Sequence, residues 1–250
     1  FMLPWLRPAP GQMKPLLQVA FLLGVLHFSM MFIGLDQGGN IASIAITSQL
    51  YVPFSAIMAA VFLGERLSAL RILAIALAFG GILLVGFDPV VFSHFGAMLW
   101  VTGASLVMAL ATILMRRCPN LGIFKLQAWI AAVATPSLLL LSFIFESGQL
   151  HSLTSCRASD FWVPVYSAIG ASVVGHGIVY FLLGRYPVSI VTPSMLLTPL
   201  LASVSGVLFL HDQIGWKLII GGGLTLLGTM LVSVDPRHIA RWMRHKANAT

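Results

Sequence analysis

Residues 41–63 read IASIAITSQLYVPFSAIMAAVFL, an unbroken run without one charged side chain. A helix of about 20 such residues crosses a hydrocarbon core. A strand reading fails because the run is continuously apolar and does not alternate in segments of about ten. Seven further stretches repeat the pattern, at 16–35, 68–87, 95–115, 123–145, 161–184, 188–210 and 216–234. The composition agrees. Of 250 residues, 58% are hydrophobic and 8% charged, and mean hydropathy is +0.96. A soluble domain carries about a quarter charged residues. So few charges exclude a soluble enzyme, a nucleic-acid binder and a disordered chain. The predicted fold class is an all-α polytopic membrane protein, with the lipid bilayer as its first partner.

The basic residues orient the spans. Arg7, Lys14, Arg66, Arg71, Arg116, Arg117, Lys125, Arg185, Arg237, Arg241, Arg244 and Lys246 fall on one side; Arg157 and Lys217 fall on the other. Cytoplasmic loops collect Lys and Arg. The first group, and the C-terminus, are therefore expected in the cytoplasm, and the protein in the inner (plasma) membrane. The net charge of +7 is then a topology signal. The tail 237–250 reads as a basic cytoplasmic segment. Cys118 and Cys156 fall on opposite sides and cannot pair within one chain. No Cys/His spacing fits a metal site, and no phosphate-binding Gly-Lys loop is present. No cofactor is expected.

The chain also resembles itself. At a shift of 146, Ser43, Ile44, Ser48, Leu50, Pro53, Ala56 and Val61 meet Ser189, Ile190, Ser194, Leu196, Pro199, Ala202 and Val207. After one inserted residue the shift is 147. Gly81, Leu84, Val85, Asp88 and Pro89 then meet Gly228, Leu231, Val232, Asp235 and Pro236, and Glu65 meets Asp212. The two copies lie five spans apart, an odd number, so they must cross in opposite directions. Inverted repeats of this kind build many secondary transporters. Residues 1–91 are expected to hold the last three helices of a first repeat, and residues 92–236 a complete second repeat of five. Two further helices are expected before residue 15, ten in all.

Phe62-Leu63-Gly64-Glu65-Arg66-Leu67-Ser68, followed by a Gly-rich helix, resembles the repeat signature of the EamA family. That family belongs to the drug/metabolite transporter superfamily, with ten helices in two inverted five-helix repeats. Gly175-His176-Gly177-Ile178, leading into Leu182-Leu183-Gly184-Arg185-Tyr186, is further similar to its exporters of cysteine and O-acetylserine. The second-copy signature departs, reading Leu210-His211-Asp212-Gln213-Ile214. Met108 and Thr112 stand where members often carry Trp and Asn, and His27 and His176 where the cysteine-type exporters tend to have Gln and Tyr. The resemblance implies a secondary transporter that exports small polar metabolites such as amino acids by alternating access.

Polar groups inside a span are costly unless paired or wet. His27 and His176 sit at similar depth on repeat-related helices. Each can bind a substrate carboxylate or tie two helices together. Gln49 can donate to a carboxylate and accept from an ammonium; its bland alternative is an interhelical hydrogen bond. Ser194 and Thr198 occupy the matching part of the second copy. Tyr180 lies one turn from His176. These six are the candidate substrate-binding residues. Pro53 and Pro199 are expected to bend their helices. Gly80-Gly81 and Gly221-Gly222-Gly223 read as close-packing surfaces for helix contact or for a homodimer. Two other readings remain at this stage: an intramembrane enzyme using His27, His176 and a hydroxyl such as Ser29, and a non-transporting scaffold.

Overall fold

The computed structural model describes residues 5–7, 10–38, 41–64, 67–115, 122–175, 178, 197–212 and 214–233. Among these, every regular element is helical. Five helices are long and apolar enough to span a membrane: α1 (Met13–Asp36), α2 (Ile41–Phe62), α3 (Ala69–Gly86), α4 (Phe95–Met115) and α5 (Phe124–Phe145). After them come α6, formed by Trp162–Tyr166 and Ser167–Gly175, α7 (Leu197–Leu210) and α8 (Trp216–Ser233). The protein is an all-α polytopic membrane protein. The expected spans at 161–184 and 188–210 are described only in part, as α6 and α7. The tail 237–250 lies outside the described residues. The link at 146–160 is not simply a loop: it winds into short helices at Gln149–Ser155 and Ala158–Phe161.

Local chemistry sets the helix ends. The Ser68 hydroxyl accepts from the Arg71 N–H at 3.3 Å and caps α3, filling one of the donors a helix start leaves free. Gly64 ends α2 in the left-handed conformation at φ 66°, where a side chain is strained.

Alanines take a large share of the interior, and many of the largest apolar side chains face outward. Ala20, Ala74, Ala78, Ala97, Ala104, Ala109 and Ala111 are buried, whereas Phe32, Leu73, Leu83, Phe143 and Phe145 are exposed. In lipid, apolar bulk gains nothing by turning inward, and close backbone approach holds helices together. The α3–α8 contact is the most extensive between any two elements described here. A Cβ on Gly81 would stand 2.5 Å from the Gly221 carbonyl oxygen and 2.6 Å from the Thr225 nitrogen. A Cβ on Gly228 would stand 2.5 Å from the Ala78 nitrogen and 2.6 Å from the Ala74 oxygen. These contacts run in opposite chain order, so α3 and α8 are antiparallel. Of the glycines expected to pack helices, Gly81, Gly221 and Gly222 do so inside this chain. Gly80 and Gly223 meet nothing within 4 Å.

Two of the five long spans are not regular, and α6 also winds into π geometry over Ser167–Gly175. α1 widens into π geometry over Leu22–His27. α2 breaks at Gln49-Leu50, between Ile41–Ser48 and Tyr51–Leu63. The sequence places the bend at Pro53; the break falls four residues earlier, at the carbonyl that Pro53, lacking an N–H, cannot serve.

Candidate functional site

The break in α2 is held by short-range bonds. The Gln49 and Leu50 N–H groups donate to the Ile46 and Thr47 carbonyls at 3.1 and 3.0 Å, and the Val52 N–H donates to the Gln49 carbonyl at 3.1 Å. Such three-residue closures tighten the chain and re-aim its carbonyls. Those carbonyls meet α4. The Ser105 hydroxyl lies 2.8 Å from the Val101 oxygen, 3.2 Å from that of Ser48 and 3.5 Å from that of Thr47. One hydroxyl proton cannot serve three acceptors fully. The break is therefore polar and only partly satisfied.

One residue earlier on α4, α1 arrives. His27 Nδ1 lies 2.9 Å from the Ala104 carbonyl oxygen. A carbonyl only accepts, so Nδ1 carries the hydrogen and donates. Nε2 then has no partner among the described residues. The His27 ring stands edge-on to Phe28, at 5.3 Å. The π segment delivers it there, a local widening that often marks functional positions. Ala104 and Ser105 thus bring His27 and the Gln49 break to one depth.

Gln49 is 8% exposed. Its side-chain amide makes no hydrogen bond among the described residues, although its backbone is fully engaged. Thr47 and Ser48 spend their hydroxyls on the Ser43 and Ala45 carbonyls of their own helix.

The other candidates divide. Thr198 lies near the start of the described part of α7 and is exposed. His176, Tyr180 and Ser194 lie outside the described residues. Trp129 Nε1 donates to the Arg7 carbonyl at 3.4 Å, an anchoring contact. Ser105 was not singled out in the sequence. Its only signal is the small-residue run Gly103-Ala104-Ser105, where Gly103 leaves room for the Met30 side chain of α1.

A separate groove of about 540 Å³ lies between α1, α4 and α5. Phe21, Val25, Met30, Trp100 and Leu140 line it, with Ser29. Its walls are apolar, and neither His27 nor Gln49 reaches it. The Ser29 hydroxyl is buried without a partner.

Residues 95–234, from α4 to α8, match the EamA-like transporter family. A probable amino-acid metabolite efflux pump of Escherichia coli K12 is 28% identical over 229 residues, 86% of this chain and 69% of the relative. The protein of the same name from Salmonella typhimurium LT2 is 26% identical, covering 84% of this chain and 70% of its own length. A WAT1-related chloroplastic protein of Arabidopsis thaliana is 24% identical, over 78% of this chain and 48% of its own. With more than half of its length matched by that family, this multi-pass membrane chain belongs to the EamA-like transporters.

Proposed function

We propose that the protein exports small polar metabolites, amino acids of the cysteine or O-acetylserine kind among them, by alternating access between two inverted repeats. The observation that carries this reading is Gln49, a polar residue only 8% exposed and without a side-chain hydrogen bond among the described residues, at a break in a membrane helix. Transporter sites form where discontinuous helices offer unwound backbone near the midplane. An amide can donate to a carboxylate and accept from an ammonium, the two ends of an amino acid. His27 Nε2 adds a second group at the same depth. His176, Tyr180, Ser194 and Thr198 complete the proposed site from the other repeat.

The repeat reading has its own support. Gly81 contacts Gly221 and Thr225, while Gly228 contacts Ala74 and Ala78. At the shift of 147, Ala74 becomes Gly221, Ala78 becomes Thr225 and Gly81 becomes Gly228. Exchanging the copies therefore maps the α3–α8 contact onto itself, as a two-fold axis requires. The family match begins at residue 95, close to the proposed repeat boundary at 92. The names of the bacterial relatives support efflux, and the distribution of basic residues supports an inner-membrane protein with its C-terminus in the cytoplasm.

The test uses the full-length gene product in proteoliposomes loaded with labelled amino acids, cysteine and O-acetylserine included. Release is followed with and without an imposed pH gradient. Release of one compound class, lost in Gln49→Leu and in His27→Ala or His176→Ala, supports the reading. Release that survives all three changes removes the site. No release from folded protein removes the function.

A further inference from the structure

The end of the bundle that carries Asp36, Asp88 and Asp212 is tied across the chain. α7 ends at His211, which turns left-handed at φ 57°. The Asp212 N–H then donates to the Gly206 carbonyl at 3.1 Å, folding the chain back on itself. Gly206 has no side chain, and the Asp212 carboxylate occupies the space where its Cβ would stand. From there Asp212 Oδ2 accepts from the Ile41 N–H at 2.8 Å. Ile41 is the first residue of α2, where a helix leaves its donors free and favours negative charge. The bond joins residues 171 apart. Close by, Lys217 Nζ donates to the Phe87 carbonyl at 2.8 Å, and the Asp88 carboxylate packs against Gly215.

This end differs from the α3–α8 contact. There, backbone lies on backbone over several turns, and no small motion releases it. The start of α2 and the end of α7 also pack on each other, but less extensively than α3 on α8; the Asp212–Ile41 hydrogen bond is the polar tie at their mouth, and Asp212 is only half-buried. Water can take either partner. The helices so joined are those with the α2 break and with Thr198 in the proposed site. In the alternating-access reading, a substrate leaving toward this end passes between them.

We propose that Asp212 is a releasable latch: its carboxylate holds the start of α2 against the end of α7 and closes the external mouth, and transport requires it to let go. The proposal rests on the alternating-access reading above. It adds the group that sets how often the mouth opens.

The experiment uses the complete protein with Cys118 and Cys156 exchanged for Ser and Ser43→Cys added. Ser43 is 2% exposed and lies just inside Ile41. A membrane-impermeant maleimide is added from the side on which Cys156, exposed in the native chain, itself reacts. Ser43→Cys is expected to label slowly with Asp212 present. It should label about tenfold faster or more with Asp212→Ala, the factor carried by a hydrogen bond to a charged group. Equal rates in the two folded proteins overturn the latch. This arm needs no substrate, so failure of the transport reading leaves it intact.

A second arm does not depend on how Asp212→Ala folds. A Cβ on Gly206 would stand 3.4 Å from that of Ile41, close to the ~3.5–4.5 Å separation of a disulfide. In the Ile41→Cys/Gly206→Cys protein, made in the same Cys-free background, the Asp212 carboxylate is displaced and the cross-link takes its place. Oxidation is expected to abolish labelled amino-acid release and reduction to restore it. Release at the same rate in both states overturns the proposal.

Discussion

Gly81 and Gly228 make the same contact from opposite sides of one helix pair. Each lies where its own Cβ would strike the backbone of the facing helix, at 2.5 Å from the Gly221 oxygen and from the Ala78 nitrogen respectively. The Thr225 hydroxyl fits between them, 2.8 Å from the Gly221 oxygen and 3.3 Å from the Ala78 oxygen. The pair is thus not a perfect two-fold, because Thr225 stands where the other copy has Ala78, and its hydroxyl adds a polar stitch to the seam.

From this seam follows the first prediction. Gly81→Ala and Gly228→Ala each push a methyl into backbone, which cannot swing aside. Overpacking of this kind costs about 1–3 kcal/mol. Gly80→Ala and Gly223→Ala, with nothing within 4 Å, should stay within about 0.5 kcal/mol of the parent. Thermal unfolding in detergent, followed by loss of the monodisperse species, compares the four. Equal midpoints for both pairs would deny the seam its structural role.

Ser105 carries the second. Ser105→Ala leaves the Ser48 carbonyl at the α2 break without its donor, while the Val101 carbonyl keeps its own helix bond. Interhelical hydrogen bonds in membranes average about 0.6 kcal/mol, so the unfolding midpoint should fall only slightly. Transport should fall further, because the carbonyls at the break lose the group that aims them. Ser105→Thr restores the hydroxyl and should restore most of the rate. A rate in Ser105→Ala equal to the parent's would count against a role for the break.

His27 separates a tie from a ligand. Its Nδ1 bonds the Ala104 carbonyl, and its Nε2 has no partner among the described residues. Asn places an N–H close to the Nδ1 position and has nothing at Nε2. His27→Asn is therefore expected to keep the unfolding midpoint of the parent and to lose at least about tenfold in transport, the factor for 1.4 kcal/mol of lost substrate contact. Unchanged transport in this variant would make His27 a tie between α1 and α4 and nothing more.

The spans were legible because lipid imposes a length and an apolar composition on any helix that crosses it. The reciprocal seam was legible in outline, since Gly81 and Gly228 match at a constant shift. The break was not. Pro53 announces a lost bond, but where the chain reorganises depends on which neighbour takes the freed carbonyls. That neighbour, Ser105, lies on a helix 57 residues away from Ser48 and looks like any small residue in a span. His27 was legible as a polar intrusion. Its partner was a backbone carbonyl, and backbone carbonyls carry no signal in a sequence. Asp212 was visible only as the counterpart of Glu65. Its reach to Ile41 depends on the left-handed turn at His211, which no propensity rule demands.

Gln49 supplies the last prediction, in which stability and activity move in opposite directions. The residue is largely buried, and its amide has no hydrogen-bond partner among the described residues. A residue kept only for folding would gain by becoming apolar. Gln49→Leu, close in volume, removes two polar atoms from a largely buried position where they find no partner among the described residues. The fold should gain about 0.5–2 kcal/mol, read as a higher unfolding midpoint in detergent. Release of labelled amino acids from proteoliposomes should fall at least tenfold. Gln49→Glu tests the sign of the substrate group that is met. A carboxylate here repels a substrate carboxylate and attracts an ammonium, so the KM should rise if Gln49 holds the acid end and fall if it holds the amine. A Gln49→Leu protein that is less stable than the parent, yet transports at the same rate, would make the amide a structural element whose partner lies elsewhere in the chain.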